Sequence, residues 1–263
     1  MKHDFQIHRD EFRLRVLLTN KCNKNCDFCL NDFQPKEPIK HADPMDLMDC
    51  IRAYGQFMKF IGKESIVTFS GGEPGVYPFL ELILKTAKGR CDTVKVVTNG
   101  YAYHPDLNKF VDKWHIGVTE KEEYLIRTAK WMPNTVFQMV VTMDQDPEQL
   151  YDLVNYYHRE GFLIKLFTDF RVDDPEQEIL RGKVIRIAER FEDRICTRFT
   201  GVQRNRGDAC LGCQQKCVTL KALWYFPDGT SSTCPQGKKK FFDDDTWDET
   251  MEKAYKLHKV EDV

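Results

Sequence analysis

Leu14-Arg15-Val16-Leu17-Leu18, followed at once by Thr19-Asn20-Lys21-Cys22-Asn23-Lys24-Asn25-Cys26-Asp27-Phe28-Cys29, is the stretch on which the reading of the chain turns. The short apolar run predicts a strand, and three thiols crowded just past its C-terminal end predict a metal-binding loop. Three protein ligands are one too few for a closed structural site. An iron–sulfur cube on three cysteines keeps one iron open to an outside ligand, and catalytic zinc also works with three protein ligands, so spacing alone leaves both metals open.

Outward from that strand, short β-branched and aromatic runs alternate with longer amphipathic stretches, the pattern of βα units around a parallel sheet. The predicted strands are Leu14–Leu18, Ser65–Ser70, Thr93–Thr98, Ile116–Thr119, Thr135–Thr142 and Phe162–Thr168. Predicted helices are Pro44–Ile61 with Asp43 as N-cap, Pro78–Lys88, Asp106–Lys113, Lys121–Trp131, and Pro147–Arg159 closed by Gly161. A further helix spans Glu176 to Phe191 after the turn-like Asp173-Asp174-Pro175. The alternation predicts an open or partial α/β barrel, whose chemistry sits at the C-terminal ends of its strands.

From about residue 195 the composition shifts toward Cys, Gly, Arg and Thr. Cys210, Cys213, Cys217 and Cys234 supply four thiols there, enough to close a site of their own. Leu223–Phe226 and the turn Pro227-Asp228-Gly229 predict a hairpin that returns Cys234 toward the other three. The expected division is a core of residues 1–194 and a Cys-rich module with its tail over residues 195–263.

The 263 residues carry 39 Lys plus Arg against 41 Asp plus Glu, a net charge of −2, which excludes a strongly basic nucleic-acid clamp and an acidic disordered tail. Ten cysteines fit a disulfide scaffold only in a short secreted chain. The first residues, Met1 to Arg15, lack the apolar stretch of a secretory signal, and the longest uncharged run, Trp131 to Met143, is too short to span a bilayer. A cytoplasmic, reducing setting is expected, where clustered cysteines bind metal, with neither a membrane nor a nucleic acid as partner.

Three motifs together resemble the radical S-adenosylmethionine (SAM) superfamily. Cys22, Cys26 and Cys29 follow the first strand with the aromatic Phe28 before the last thiol; Ser70-Gly71-Gly72-Glu73-Pro74 ends the second strand; Thr98-Asn99-Gly100 closes the third. The resemblance covers about residues 12 to 170. It implies a [4Fe–4S] cluster on Cys22, Cys26 and Cys29 that chelates SAM through its open iron, reductive cleavage of SAM, and hydrogen-atom abstraction by the 5′-deoxyadenosyl radical from a small-molecule or peptide substrate. It also implies contacts from Gly71, Gly72, Glu73 and Pro74 to the methionyl part of SAM, with Phe28 and Asn99 near the adenosine. The glycines let the backbone approach a ligand closely, and the Glu73 carboxylate is expected to be available to an ammonium group. An electron donor such as flavodoxin or ferredoxin follows from the same chemistry.

By the same resemblance the C-terminal cysteines are similar to the Twitch and SPASM extensions that carry auxiliary [4Fe–4S] clusters; four thiols suit one cluster of the Twitch type. Zinc on four cysteines is the competing occupant, and Cys196 is a possible substitute ligand. Cys50 and Cys91 read as small core hydrophobes. Tyr101, Tyr103, His104, Asp169 and Arg171 follow predicted strands at the expected active face, while Arg198, Arg204, Arg206 and Lys238–Lys240 flank the second cysteine group. The fold class expected is therefore α/β, a partial (β/α)6 TIM-like barrel with a small Cys-rich Twitch-like module. The expected function is a radical SAM reaction, a net oxidation or rearrangement in a biosynthetic or peptide-modification pathway. The alternative from another class is a non-catalytic zinc or iron–sulfur protein with a structural or sensing role.

Overall fold

A computed structural model describes residues 12–29, 38–169, 172, 174–198, 222–233 and 245–260. Its centre is one nine-stranded sheet in the order β7-β6-β5-β4-β3-β2-β1-β8-β9. The strands are β1 (Arg13–Leu17), β2 (Ile66–Ser70), β3 (Thr93–Thr98), β4 (Lys113–Gly117), β5 (Val136–Val141), β6 (Leu163–Thr168), β7 (Ile195–Arg198), β8 (Ala222–Tyr225) and β9 (Ser231–Ser232). Every pairing is parallel except that of β8 with β9. Helices α1 (Pro44–Phe60), α2 (Leu80–Lys88), α3 (Glu123–Ala129), α4 (Pro147–Arg159) and α5 (Asp174–Glu189) follow the strands in chain order, and α6 (Trp247–Val260) comes last. Consecutive βα units with neighbouring parallel strands put the C-termini of β1 to β8 at one end, the architecture expected of a partial barrel.

Alternation within the strands decides which face is covered. Leu14 and Val16, Val67 and Phe69, Val94 and Val96, Trp114 and Ile116, Phe137 and Met139, and Ile164 and Leu166 all belong to one buried core with the inner faces of the helices. Because side chains alternate along a strand, the register carries Arg15, Thr68, Lys95 and Lys113 side by side onto the opposite face, away from the helices. Two helices start on aspartates, as sterics and orphan N–H groups demand: Asp43 Oδ1 accepts from the N–H of Met45 and Asp46, both at 2.9 Å, and Asp146 caps α4 likewise. Gly161 ends α4 at φ +87°.

The structure departs from the sequence expectations in four places. The helix expected over Asp106–Lys113 is a 3-10 stretch, Pro105–Phe110, and β4 begins at Lys113 rather than Ile116. Asp112 is the reason: its N–H donates to Val94 O and its carboxylate accepts from Val94 N–H, both at 2.9 Å, which pins the chain extended beside β3. β7 was not expected as a strand. The expected strand near Ala222 is present, with its hairpin through β9, yet its other neighbour is β1, which it pairs in parallel from Arg13↔Ala222 onward. Finally, α6 packs against α1; Asp46 on α1 accepts from Trp247 Nε1 at 2.8 Å and from the Tyr225 hydroxyl at 2.7 Å, joining α6 and β8 to the first helix. Among the described residues no helix is long and apolar enough to cross a membrane.

Candidate active site at the C-terminal ends of the strands

Past β2 the chain turns at Gly71 and Gly72, pressed against the segment that leads from β1 into the first cysteines. Leu18 N–H donates to Ser70 O at 2.9 Å, Gly72 N–H to Thr19 O at 2.6 Å and Glu73 N–H to Lys21 O at 2.9 Å. A Cβ on Gly71, at φ +130°, would stand 2.6 Å from Thr19 O, and one on Gly72 only 1.9 Å from Lys21 O. Neither backbone atom can swing aside, so glycine is dictated by the approach of the chain to itself. The approach of the chain to itself is thus a reason for glycine here beside the expected approach of a ligand.

Glu73 differs from its expected posture. It is 1% exposed, and its carboxylate accepts from the N–H of Gly75 at 2.9 Å, the hydroxyl of Thr98 at 2.6 Å and the N–H of Asn99 at 2.7 Å. The side chain that was expected to stand open for an ammonium group instead ties the end of β2 to the end of β3. Burial pushes its carboxyl above the ordinary range, with these three donors pulling the other way. Pro74 follows in a short 3-10 turn for which Glu73 is the cap. At the end of β3, Gly100 turns at φ +82° and donates its N–H to the Thr98 hydroxyl at 2.9 Å.

The first cysteine loop is wired to these strand ends by side chains. Asn99 Nδ2 donates to Asn23 Oδ1 at 2.5 Å. Lys24 Nζ reaches Glu122 Oε1 at 3.3 Å and lies 4.6 Å from the centre of the Tyr101 ring, which itself stacks on Tyr124 at 5.9 Å. Within the loop, Cys29 N–H donates to Cys26 O at 3.0 Å, and Lys24 N–H points at Cys22 Sγ at 3.4 Å. Cys22 is exposed, Cys26, Phe28 and Cys29 are half-buried, and none of the three thiols is in a disulfide.

These residues fit an iron–sulfur cube. The donor set is three accessible thiols on one short loop, and a backbone N–H aimed at a ligand sulfur is the kind of bond that tunes such a cluster. Among the described residues no three His, Cys, Asp or Glu side chains converge as on a single ion. A cube takes each thiolate on a different iron and leaves its fourth iron open to a further ligand.

The remaining expected positions separate clearly. Tyr101 faces the cysteine loop. Tyr103 packs edge-on against Trp114 at 5.5 Å and accepts from Asn108 Nδ2 at 2.6 Å, and the exposed His104 caps the 3-10 stretch. Asp169, at the end of β6, is buried, and its carbonyl accepts from the Gln177 amide. Cys50 and Cys91 lie in the core as expected, with burial raising both thiols, Cys91 to about 12. Cys196 is buried in β7 at register with Lys165. Cys210, Cys213, Cys217, Cys234, Arg171, Arg204, Arg206 and Lys238–Lys240 lie outside the described residues, as does the side chain of Arg198.

Sequence reasoning passed over Asn23, Lys24 and Glu122, and it passed over a row of polar residues inside the barrel. Arg15, Lys95, His115 and Lys165 each sit third in their strands, between apolar neighbours. A single cation set among apolar residues of a predicted strand, at Arg15, Lys95 and Lys165, was the signal available.

Residues 16–170 match the protein family described as the Radical SAM superfamily. Among curated proteins, an S-adenosylmethionine-dependent nucleotide dehydratase of Flammeovirga pacifica is 32% identical over 90 residues, covering 32% of this chain and 28% of that protein. A GTP 3′,8-cyclase of Chlorobaculum tepidum is 27% identical over 107 residues, 40% of this chain and 31% of the other. The matched part thus spans less than a third of these relatives. Among solved structures, Streptococcus suis SuiB bound to S-adenosylmethionine superposes with a TM-score of 0.64 at 14% identity, covering 85% of this chain and 60% of SuiB. That likeness is one of fold. With more than half of its length matched, from within β1 to just past β6, and the cysteine loop and both glycine turns inside that span, the chain belongs to the radical SAM superfamily.

Proposed function

We propose that Cys22, Cys26 and Cys29 hold a [4Fe–4S] cluster whose open iron takes SAM, and that the chain abstracts a hydrogen atom from a small-molecule or peptide substrate. The observation that carries this reading is the wiring of the cysteine loop, by backbone and by Asn23 and Lys24, to the ends of β1, β2, β3 and the segment after β4. When bound, the cluster and SAM supply the difficult chemistry, one-electron cleavage of the S–C5′ bond to a 5′-deoxyadenosyl radical.

The chain's own residues have positioning work. Gly71–Pro74 present backbone groups to the methionyl end of SAM, and Glu73 acts through them by fixing that backbone from behind. Phe28, half-buried beside the thiols, and Asn99, hydrogen-bonded across to Asn23, border the adenosine side. The partial barrel encloses the reacting carbon and limits water. Flavodoxin or ferredoxin supplies the electron, in a cytoplasmic setting.

Within residues 195–263 we assign Cys210, Cys213, Cys217 and Cys234 to one auxiliary cluster in a Twitch-like module. Its roles would be to accept an electron from a substrate radical, making the net reaction an oxidation, or to bind substrate. The spacing of the four thiols and the hairpin that precedes Cys234 support this.

Anaerobic reconstitution tests the whole reading. About seven to eight irons per chain are expected from two cubes, with release of 5′-deoxyadenosine on reduction with SAM. Replacing Cys22, Cys26 and Cys29 by Ala should leave about four irons and no 5′-deoxyadenosine. Protein that takes up only zinc and leaves SAM intact would overturn the reading in favour of a structural or sensing metal protein.

A further inference from the structure

The face of the sheet turned away from the helices should, by the hydrophobic effect, be filled by apolar side chains if its only task were to close a barrel. It is instead crossed by a basic layer. Register places Arg15 (β1) beside Thr68 (β2), Lys95 (β3) and Lys113 (β4), and carries Gln138 (β5) beside Lys165 (β6) and Cys196 (β7). All four cations are half-buried, and their fields overlap. Arg15, Lys95, Lys113 and Lys165 all act on the His115 ring, which burial and these charges keep neutral, down to about 2. Lys95 is lowered to about 8, by burial first and then by Arg13, Lys113 and Arg15; the acid that acts on it is Glu64, in the exposed turn before β2.

Two further observations point inward. The Arg15 guanidinium lies 5.3 Å from the Trp224 ring centre on β8, and the buried indole N–H of Trp224 finds no acceptor among the described residues. Gln138 Nε2 lies 2.5 Å from His115 Nδ1, which orients a neutral imidazole in the middle of the layer. Burial and the neighbouring cations both disfavour the charged form of Lys95. A multiply charged anion bound beside it would offset both effects.

We infer that the interior of the partial barrel is the seat of an anionic, phosphate-bearing small-molecule substrate, held by Arg15, Lys95, Lys113 and Lys165 below the cysteine loop. The inference rests on the radical SAM reading for its placement of substrate beside SAM. It narrows the substrate from any small molecule or peptide to one whose charged end is carried inward past the strand ends. Lysine suits this as a point-charge partner for phosphoryl oxygens, with Arg15 held over Trp224 as the planar one.

The test uses the anaerobically reconstituted full chain with inorganic tripolyphosphate as probe, by calorimetric titration and by its effect on the melting temperature. Binding is expected, weakening with salt, and it should fall at least tenfold in Lys95→Gln and in Lys165→Gln. It should be unchanged in Lys59→Gln, which alters an exposed lysine on α1. Melting temperatures of Lys95→Gln and Lys165→Gln that are not below that of the parent exclude misfolding as the cause. No binding by the parent chain, or an equal loss in Lys59→Gln, overturns the inference. The two readings fail separately: 5′-deoxyadenosine release without tripolyphosphate binding removes the anion seat alone, while binding without any SAM cleavage removes the catalytic reading and leaves the seat.

Discussion

Gly71–Glu73 and Cys22–Cys29 follow the adjacent strands β2 and β1 and are built in contrasting ways. In the first, every polar group named is met by the protein itself: Glu73 accepts three hydrogen bonds, Gly72 and Glu73 donate to the Thr19–Lys21 backbone, and no Cβ fits. In the second, the thiols lie at or near the surface, and the side-chain ties described here run through Asn23 and Lys24. The corner is pre-formed before anything binds. The loop is aimed, and its final shape is left to the cluster it would carry, as in metal sites where binding and ordering are one event.

The largest effect should come from breaking the rigid side. Gly72→Ala places a methyl group against Lys21 O and is expected to destabilise the metal-free protein by about 3 kcal/mol or more, a fall of about 6–12 °C for a chain of this size. Cys26→Ala, on the other side, should leave metal-free stability within about 0.5 kcal/mol of the parent while lowering iron uptake to about the four irons of the second cube. Equal melting temperatures for the two variants would erase the contrast.

Glu73→Gln sharpens the comparison at lower cost. The amide turns an N–H2 toward Gly75 N–H and Thr98 Oγ1, or toward Asn99 N–H, leaving a buried donor without an acceptor. A loss of about 1–3 kcal/mol is expected, measured by denaturant unfolding of the metal-free chain. No change would mean that the carboxylate is not what holds the strand ends together.

Lys95 gives an effect of the opposite sign. Its folded value, about 8, lies below the ordinary 10.5, so the folded protein releases this proton first. The penalty is therefore full below pH 8 and fades as pH rises from there toward 10.5. Lys95→Met should raise the melting temperature at pH 7 by about 2–4 °C, the shift of ~1 kcal/mol, and should flatten the rise in stability between pH 8 and 10. A lower melting temperature for Lys95→Met would show that the basic layer supports the fold. Smallest of all, Lys24→Met removes an ion pair that is partly exposed and one contact with Tyr101, for about 0.5–1 kcal/mol. Hydrogen exchange over residues 22–29 should quicken, with that of the Gly71–Glu73 backbone unchanged.

Much of this architecture was legible because apolar alternation and capping act locally. Asp43, Gly161 and the strands from Ser65 to Thr98 announce themselves within a few residues. The beginning of β4 was hidden by the same feature that makes it interesting: Lys113 and His115 face inward, so Trp114 is the lone apolar mark before Ile116. β7 has four residues and no period to read, and the partnership of β8 with β1 depends on tertiary pairing that no window of sequence contains. For α6, Trp247, Met251, Ala254 and Tyr255 do recur at helical spacing and offered a signal that was missed. At the site, covalent spacing revealed the thiols and glycines. The inward turn of Glu73 and the reach of Lys24 to Glu122 were not legible, since both follow from the paths of separate loops.

The pairing of β1 with β8 also bears on how the molecule is made. Arg13 meets Ala222 directly, so as the chain emerges from the ribosome the outer edge of its first strand waits, with unpaired N–H and C=O groups, for about 200 residues of further synthesis. Local βα units can form while translation continues, but the strand that carries the cysteine loop gains its second neighbour only once β8 has been made. Slow, late completion of that edge is the expected signature, and the nascent chain is at its most vulnerable to pairing with a stranger in the same place where the finished protein does its chemistry.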